Sequence, residues 1–176
     1  KIALIDALSQ TGLERIEASA FVHPKWIPQL SDADEVFAGI QRNHNVKYTA
    51  LVPNDRGWNR AVDAGVDEIA VLTAATETFC HRNTNTTIEG SIQRMKPIVE
   101  HAVACDIGVR GYISCVVECP YEGRTDLLVV RDVVSQMLDL GIQDIALGET
   151  IGVAQQSDIQ KLYEALDGVL SPADSI

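Results

Sequence analysis

The chain has 176 residues, of which 46% are hydrophobic and 22% charged, a balance that supports one buried core and excludes a disordered chain. Fourteen basic against 25 acidic residues leave a formal net charge of −11, which excludes a nucleic-acid backbone as the main partner but leaves room for a local basic pocket. No apolar run reaches membrane-span length and no signal peptide is visible, so no membrane partner is expected.

The first element is a helix. KIALIDALSQT carries Ile2, Ile5 and Leu8 on one face and stops before Gly12; starting in mid-helix without Met, it is expected to lack the true N-terminus. Gly12-Leu13-Glu14-Arg15-Ile16-Glu17-Ala18 opens a unit that recurs as Gly65-Val66-Asp67-Glu68-Ile69-Ala70-Val71 and Gly141-Ile142-Gln143-Asp144-Ile145-Ala146-Leu147. In each, a glycine suited to the left-handed residue after a helix precedes a short β-rich run. Gly108-Val109-Arg110-Gly111-Tyr112-Ile113 is a weaker fourth copy, and KYTALVP (47–53) reads as a strand without the glycine.

Between these runs the periodicity is helical. Ser31 and the acids after it suit the first turn of SDADEVFAGIQRN, and Asp55 suits the cap of a helix ending at Ala64. RNTNTT (82–87) reads as a polar loop, either a hydrogen-bonding rim for a ligand or the cap of the next helix. Thr86 and Glu89 have capping-box spacing before IEGSIQRMKPIVEHAVAC, which Pro97 should kink. CPYEGR (119–124) is a Pro- and Gly-bounded loop, a pocket rim or a simple turn. LLVVRDVVSQMLDL and SDIQKLYEAL are the remaining helices.

Five strands alternating with helices predict an α/β domain with parallel strands, and no linker divides it. An open doubly wound sheet and a (β/α)8 barrel both fit; no dinucleotide fingerprint follows any strand, which weakens the nucleotide-binding version. In a barrel the carboxyl ends of the strands build the site. Glu149 stands at such an end in ALGETIGV (146–153), as do Asn54, Thr76 or Glu77, and the segment Cys115 to Cys119.

Glu17 lies within a strand, on the face opposite Ile16, and reads equally as a functional acid or as an ion-pair partner of Arg15. Glu149 reads as a functional carboxylate or as the cap of the following helix. Two acids at neighbouring strand ends suit acid–base chemistry or metal binding. Of His23, His44, His81 and His101 only His23 follows a strand, and none has HxH or HExxH spacing, so no metal ligand set is assigned from local motifs. Cys80, Cys105, Cys115 and Cys119 form no CxxC pair and read as reduced thiols of an intracellular protein, Cys115 and Cys119 serving as small buried apolar groups.

IEASAFVHPKWIPQLSDADEVFAGI, TALVPNDRG, ATETFCHRNTNTTIEGS, VRGYISCVVECPYEG and ALGETIGVA, in this order and spacing, resemble the 3-hydroxy-3-methylglutaryl-CoA lyase family of the pyruvate-carboxyltransferase-like metallolyases. The resemblance implies a TIM (β/α)8 barrel of which residues 1–176 supply about strands 2 to 6 of a single catalytic domain, incomplete at both ends. It implies retro-Claisen cleavage of 3-hydroxy-3-methylglutaryl-CoA to acetoacetate and acetyl-CoA, with Mg2+ or Mn2+ held mainly by ligands outside this segment. It assigns catalytic roles to Glu17 and Glu149 and substrate contacts to Asn83, Tyr112 and Thr150, and makes Arg110 a structural arginine. It also implies an acyl-CoA substrate, a homodimer, and a cytoplasmic location with the mitochondrial matrix as alternative. The chain departs from the family at Glu149, where Asp is usual, at Glu118, where Gly is usual, and at Ala20, where Ser is frequent. These departures admit a related acyl-CoA, citramalyl-CoA or a branched 3-hydroxyglutaryl-CoA, as substrate; a non-catalytic paralogue of the barrel is the reading from another class.

Overall fold

In a computed structural model, residues 1–170 are described. The five long strands are separated by helices as expected, with an unexpected second helix after the third and a short hairpin after the fourth, and the chain packs as two compact units, one of residues 1–71 with 100–109 and one of residues 72–99 with those from 110 onward. Strands β3 and β4 (Glu68–Ala74 and Gly108–Ser114) and helix α5 (Ile88–Ala104) each contribute to both.

The first unit opens with α1 (Ile2–Leu8), followed by β1 (Arg15–Ala20), α2 (Ala33–Gly39), β2 (Lys47–Leu51), α3 (Asp55–Asp63) and the start of β3. β1 pairs with β2, and β2 with β3, all parallel. Gly12 and Gly65 take φ of 85° and 68°, the left-handed geometry that stops a helix most cheaply without a Cβ. Phe21 and Phe37, both buried, bring their rings to 5.7 Å. The buried Tyr48 hydroxyl shares a hydrogen bond with Ser9 Oγ at 2.8 Å and accepts the Asn43 N–H at 2.9 Å, so its one polar atom is satisfied inside the core. At the amino ends of the strands the buried Glu68 carboxylate is held by Arg15 Nε at 2.8 Å, the pairing that a buried charge requires.

The second unit holds the carboxyl halves of β3 and β4, then α4 (Glu77–Thr84), most of α5, a short antiparallel hairpin of β5 (Glu118–Cys119) and β6 (Gly123–Arg124), α6 (Leu127–Asp139), β7 (Asp144–Gly148) and α7 (Gln156–Leu166). β4 pairs with β7 in parallel register from Arg110↔Asp144 to Ser114↔Gly148. Arg110 Nη1 meets Asp144 at 3.3 Å across that register. Val130, Val133, Val134 and Met137 bury one stripe of α6 at helical spacing. A Cβ on Gly111 would meet Met137 Cε at 2.5 Å and Ile142 Cγ2 at 3.1 Å, so the bare backbone is what lets α6 lie this close to β4.

Several local expectations shift by a residue. α2 starts at Ala33 with Asp32, not Ser31, in the cap position. Asn54, not Asp55, caps α3, its Oδ1 accepting the Gly57 N–H at 3.0 Å. Thr87, not Thr86, caps α5 by accepting the Gly90 N–H at 2.9 Å. Residues 82–84 of the expected polar loop are the last turn of α4. The turn before β4 uses Asp106 at φ 56° rather than Gly108, and α5 includes Pro97 within a single helix.

Because the Asn54 side chain makes the capping bond, Asn54→Ala in the full-length protein should cost about 1 kcal/mol in chemical denaturation, whereas Asp55→Ala should cost a few tenths.

Candidate active site

Within the first unit, Glu17 stands on β1 with Ile16 buried on one side of it and its own side chain exposed. Alternation puts it opposite Ile16, as expected. The register with β2 slips after it: Glu17 faces Thr49, and Ser19 then faces Ala50. Such a bulge re-aims the side chains beside it and is frequent next to functional sites. Just past β2, the Asn54 side chain is committed to its cap. His23 Nδ1 accepts the Lys25 N–H at 3.2 Å, which gives this histidine a local turn to hold.

The second unit carries the other expected residues. Tyr112 lies on β4, with the Arg110 guanidinium 5.7 Å from its ring centroid, and Asn83 is exposed on the last turn of α4. Glu149 and Thr150 follow β7. Glu149 turns back on its own loop: Oε2 accepts the Gly152 N–H at 2.6 Å and Oε1 the Val153 N–H at 3.3 Å. It does not cap α7, whose capping box is made by Gln155 and Asp158. Each carboxylate oxygen retains a second lone pair for another donor. Gly152, at φ 71°, supplies the left-handed turn that lets the loop close on the carboxylate. The Thr150 hydroxyl accepts the Cys115 N–H at 2.7 Å and donates to Gly148 O at 3.3 Å, so it ties the end of β7 to the end of β4.

Cys115 is the centre of this arrangement. It is fully buried and takes φ 61°, a conformation that costs a side-chain-bearing residue of order 1 kcal/mol. Its N–H is held by Thr150, and its carbonyl accepts the Thr125 hydroxyl at 2.6 Å. The loop between Cys115 and Thr125 is pinned elsewhere as well. Thr76 Oγ1 donates to Cys119 Sγ at 3.1 Å, Glu122 accepts the Thr78 N–H at the start of α4 at 2.6 Å, and the Phe79 and Tyr121 rings lie 6.2 Å apart. Arg124 pairs with Glu118 across the hairpin at 3.2 Å and with Asp158 of α7 at 3.1 Å; the departure at Glu118 is therefore a cross-strand charge pair.

The two thiols are pushed in opposite directions. Burial drives Cys115 up to about 11, and the neighbouring Cys119 adds to the rise. Burial also works to raise Cys119, but the Thr76 hydroxyl, the N–H groups of Tyr121 and Glu122 and the Cys115 thiol outweigh it and hold Cys119 below the usual thiol value. Cys119 is thus more than the small apolar group expected: it accepts hydrogen bonds at the mouth of the loop. Thr125 carried no sequence signal, because its partner is ten positions away through an irregular loop. Thr76 was visible only as a residue beyond a strand.

Among the described residues no three His, Cys, Asp or Glu side chains are grouped to hold a metal ion, and no helix is long and apolar enough to cross a membrane. The four cysteines are free.

Replacing Thr76 by Val removes a donor to the Cys119 sulfur, so the Cys119 thiol should titrate at higher pH than in the parent. Thiolate ultraviolet absorbance followed against pH, with Cys119→Ser as the blank, reads the shift.

Residues 1–176 match the HMGL-like family. The chain is 45% identical over 166 residues to a Pseudomonas aeruginosa protein named 3-hydroxy-3-isohexenylglutaryl-CoA/hydroxy-methylglutaryl-CoA lyase, covering 94% of this chain and 55% of that one. It superposes on the crystal structure of the HMG-CoA lyase from Brucella melitensis with a TM-score of 0.94 at 45% identity, covering 98% of this chain and 60% of that one. An Acinetobacter baumannii HMG-CoA lyase, solved in complex with coenzyme A and 3-methylmalate, superposes with a TM-score of 0.93 at 34% identity, covering 99% of this chain and 57% of that one. The chain spans about half the length of the curated relatives it matches. Its five parallel strands alternating with helices are of the TIM-barrel type, and the chain belongs to the HMGL-like family.

Proposed function

We propose that the protein to which these residues belong is a carbon–carbon lyase that cleaves 3-hydroxy-3-methylglutaryl-CoA to acetoacetate and acetyl-CoA, and that residues 1–176 are part of its single TIM-barrel catalytic domain. The observation that carries the reading is 45% identity over nearly the whole chain to a lyase of this class.

In the reaction the 3-hydroxyl loses its proton, the C2–C3 bond breaks, acetoacetate leaves, and the thioester enolate takes up a proton to give acetyl-CoA. Glu17, accessible beside the β1 bulge, holds the family's arginine or relays a proton in this scheme. Glu149, fixed by two N–H groups of its own loop, presents its remaining lone pairs to a proton or to the surroundings of the cation. Asn83 and Tyr112 contact the substrate, and Thr150 serves it indirectly, through the backbone of Cys115. A divalent cation, Mg2+ or Mn2+, would supply Lewis-acid polarisation of the substrate oxygens. The described residues do not by themselves form a ligand set for it; its main ligands are expected from other parts of the protein. A homodimer and a cytoplasmic location, with the mitochondrial matrix as alternative, complete the proposal.

A second reading keeps the chemistry and changes the acyl group. The longer carboxylate at Glu149 and the charge pair at Glu118 favour citramalyl-CoA or a branched 3-hydroxyglutaryl-CoA, and the Pseudomonas relative's name includes an isohexenylglutaryl thioester.

The full-length protein, supplied with Mg2+ or Mn2+, should release acetoacetate from 3-hydroxy-3-methylglutaryl-CoA. Glu17→Gln should lower kcat by about 10²-fold or more with the melting temperature unchanged. A protein that turns over none of these thioesters under either metal is the non-catalytic paralogue instead, and faster turnover of a branched thioester selects the second reading.

A further inference from the structure

An acyl-CoA brings a nucleotide end with several negative charges to a chain whose own formal charge is −11. The long-range field opposes that approach, so binding needs cations that are not already neutralised. In the second unit most arginines near the loops are committed. Arg94 donates to the Thr84 and Asn85 carbonyls, Arg110 pairs with Asp144, and Arg124 pairs with Glu118 and Asp158. Lys96, Arg131 and Lys161 sit within α5, α6 and α7.

Arg82 differs from all of these. It is exposed on α4, the helix that follows the carboxyl end of β3, and is the neighbour of Asn83. Among the described residues no carboxylate forms an ion pair with it. The nearby acids are engaged: Glu77 accepts the Ile88 N–H at 3.2 Å and Glu122 the Thr78 N–H at 2.6 Å. Its guanidinium carbon lies 4.3 Å from the centroid of the Tyr121 ring. Stacking uses the face of the guanidinium and leaves its N–H edge open to an anion. The ring beneath is itself fixed, by Phe79 on one side and by the Glu122 clamp next to it in sequence. A cation already held in plane loses less freedom on meeting a phosphate than a free side chain does.

We propose that Arg82, stacked on Tyr121, binds a phosphate at the nucleotide end of the acyl-CoA. The proposal rests on the acyl-CoA reading above and adds to it the group that recognises the carrier rather than the acyl portion. The test is calorimetric binding of free coenzyme A, 3′-dephospho-coenzyme A and pantetheine to the full-length protein and to its Arg82→Gln and Tyr121→Leu variants. Arg82→Gln should weaken coenzyme A about tenfold, the loss of one charge-assisted contact, and leave pantetheine unchanged. Tyr121→Leu should weaken coenzyme A in the same direction. A penalty that disappears with 3′-dephospho-coenzyme A assigns the 3′-phosphate, and one that persists assigns the diphosphate; both support the proposal. Equal coenzyme A affinity in parent and Arg82→Gln, or equal weakening towards pantetheine, overturns it. A parent protein that binds coenzyme A in an Arg82-dependent way but cleaves no thioester sinks the lyase reading alone. An active lyase whose kcat/KM is unchanged by Arg82→Gln sinks this one alone.

Discussion

A parallel β-ladder sends the carboxyl ends of paired strands the same way, and the placement of polar residues in this chain follows from that constraint. In the first unit, Arg15 and Lys47 both pair with the Glu68 carboxylate at the amino ends of three paired strands. In the second, Arg110 pairs with Asp144 between β4 and β7. The charges at this end are thereby spent on register. At the carboxyl ends the polar groups are turned to other tasks: Asn54 caps a helix, Thr150 ties two strands, and Glu149 closes a loop. The division between an end whose charges pair across strands and an end whose polar groups cap and tie loops follows the strand direction.

The carboxyl end of β4 shows how such an edge is made rigid. Left-handed geometry at Cys115 is unfavourable, and it persists because hydroxyls from two separate segments, Thr125 and Thr150, grip both polar groups of the residue. A buried carbonyl or N–H left without a partner costs about 1–3 kcal/mol, so the two threonines determine the path of the loop. The same loop then carries Cys119 to Thr76 and Tyr121 to Arg82. One strained residue therefore fixes the positions of a thiol and of a stacked cation that lie several residues further on.

Much of the fold was legible because its signals are local. Gly12, Gly65 and Gly141 mark helix ends, since few other residues take their φ without strain. Asp106 escaped notice because Asp is only a second choice for that geometry. The cap assignments missed by one residue where two capping types stand side by side, as at Asn54-Asp55 and Thr86-Thr87: either could serve, and only the backbone entry angle selects. α4 was missed, because its apolar periodicity is weak and its last turn is polar. At the candidate site, glycine punctuation placed Glu149 just past a strand and alternation placed Glu17 on its face of β1, but Glu17 lies inside the strand and β1 and β7 stand at opposite edges of the strand order, not as neighbours. The grip on Cys115 could not be placed, because hydrogen bonds from Thr125 and Thr150 depend on how two irregular loops meet, and no periodicity encodes that.

The strand order also has two ends. Among the described strands β1 pairs with β2 and β7 with β4, and no second strand pairs with either. Neither is blunted by proline within its strand. A parallel edge of this kind accepts an added strand, so exposure of either flank would favour concentration-dependent association through strand pairing.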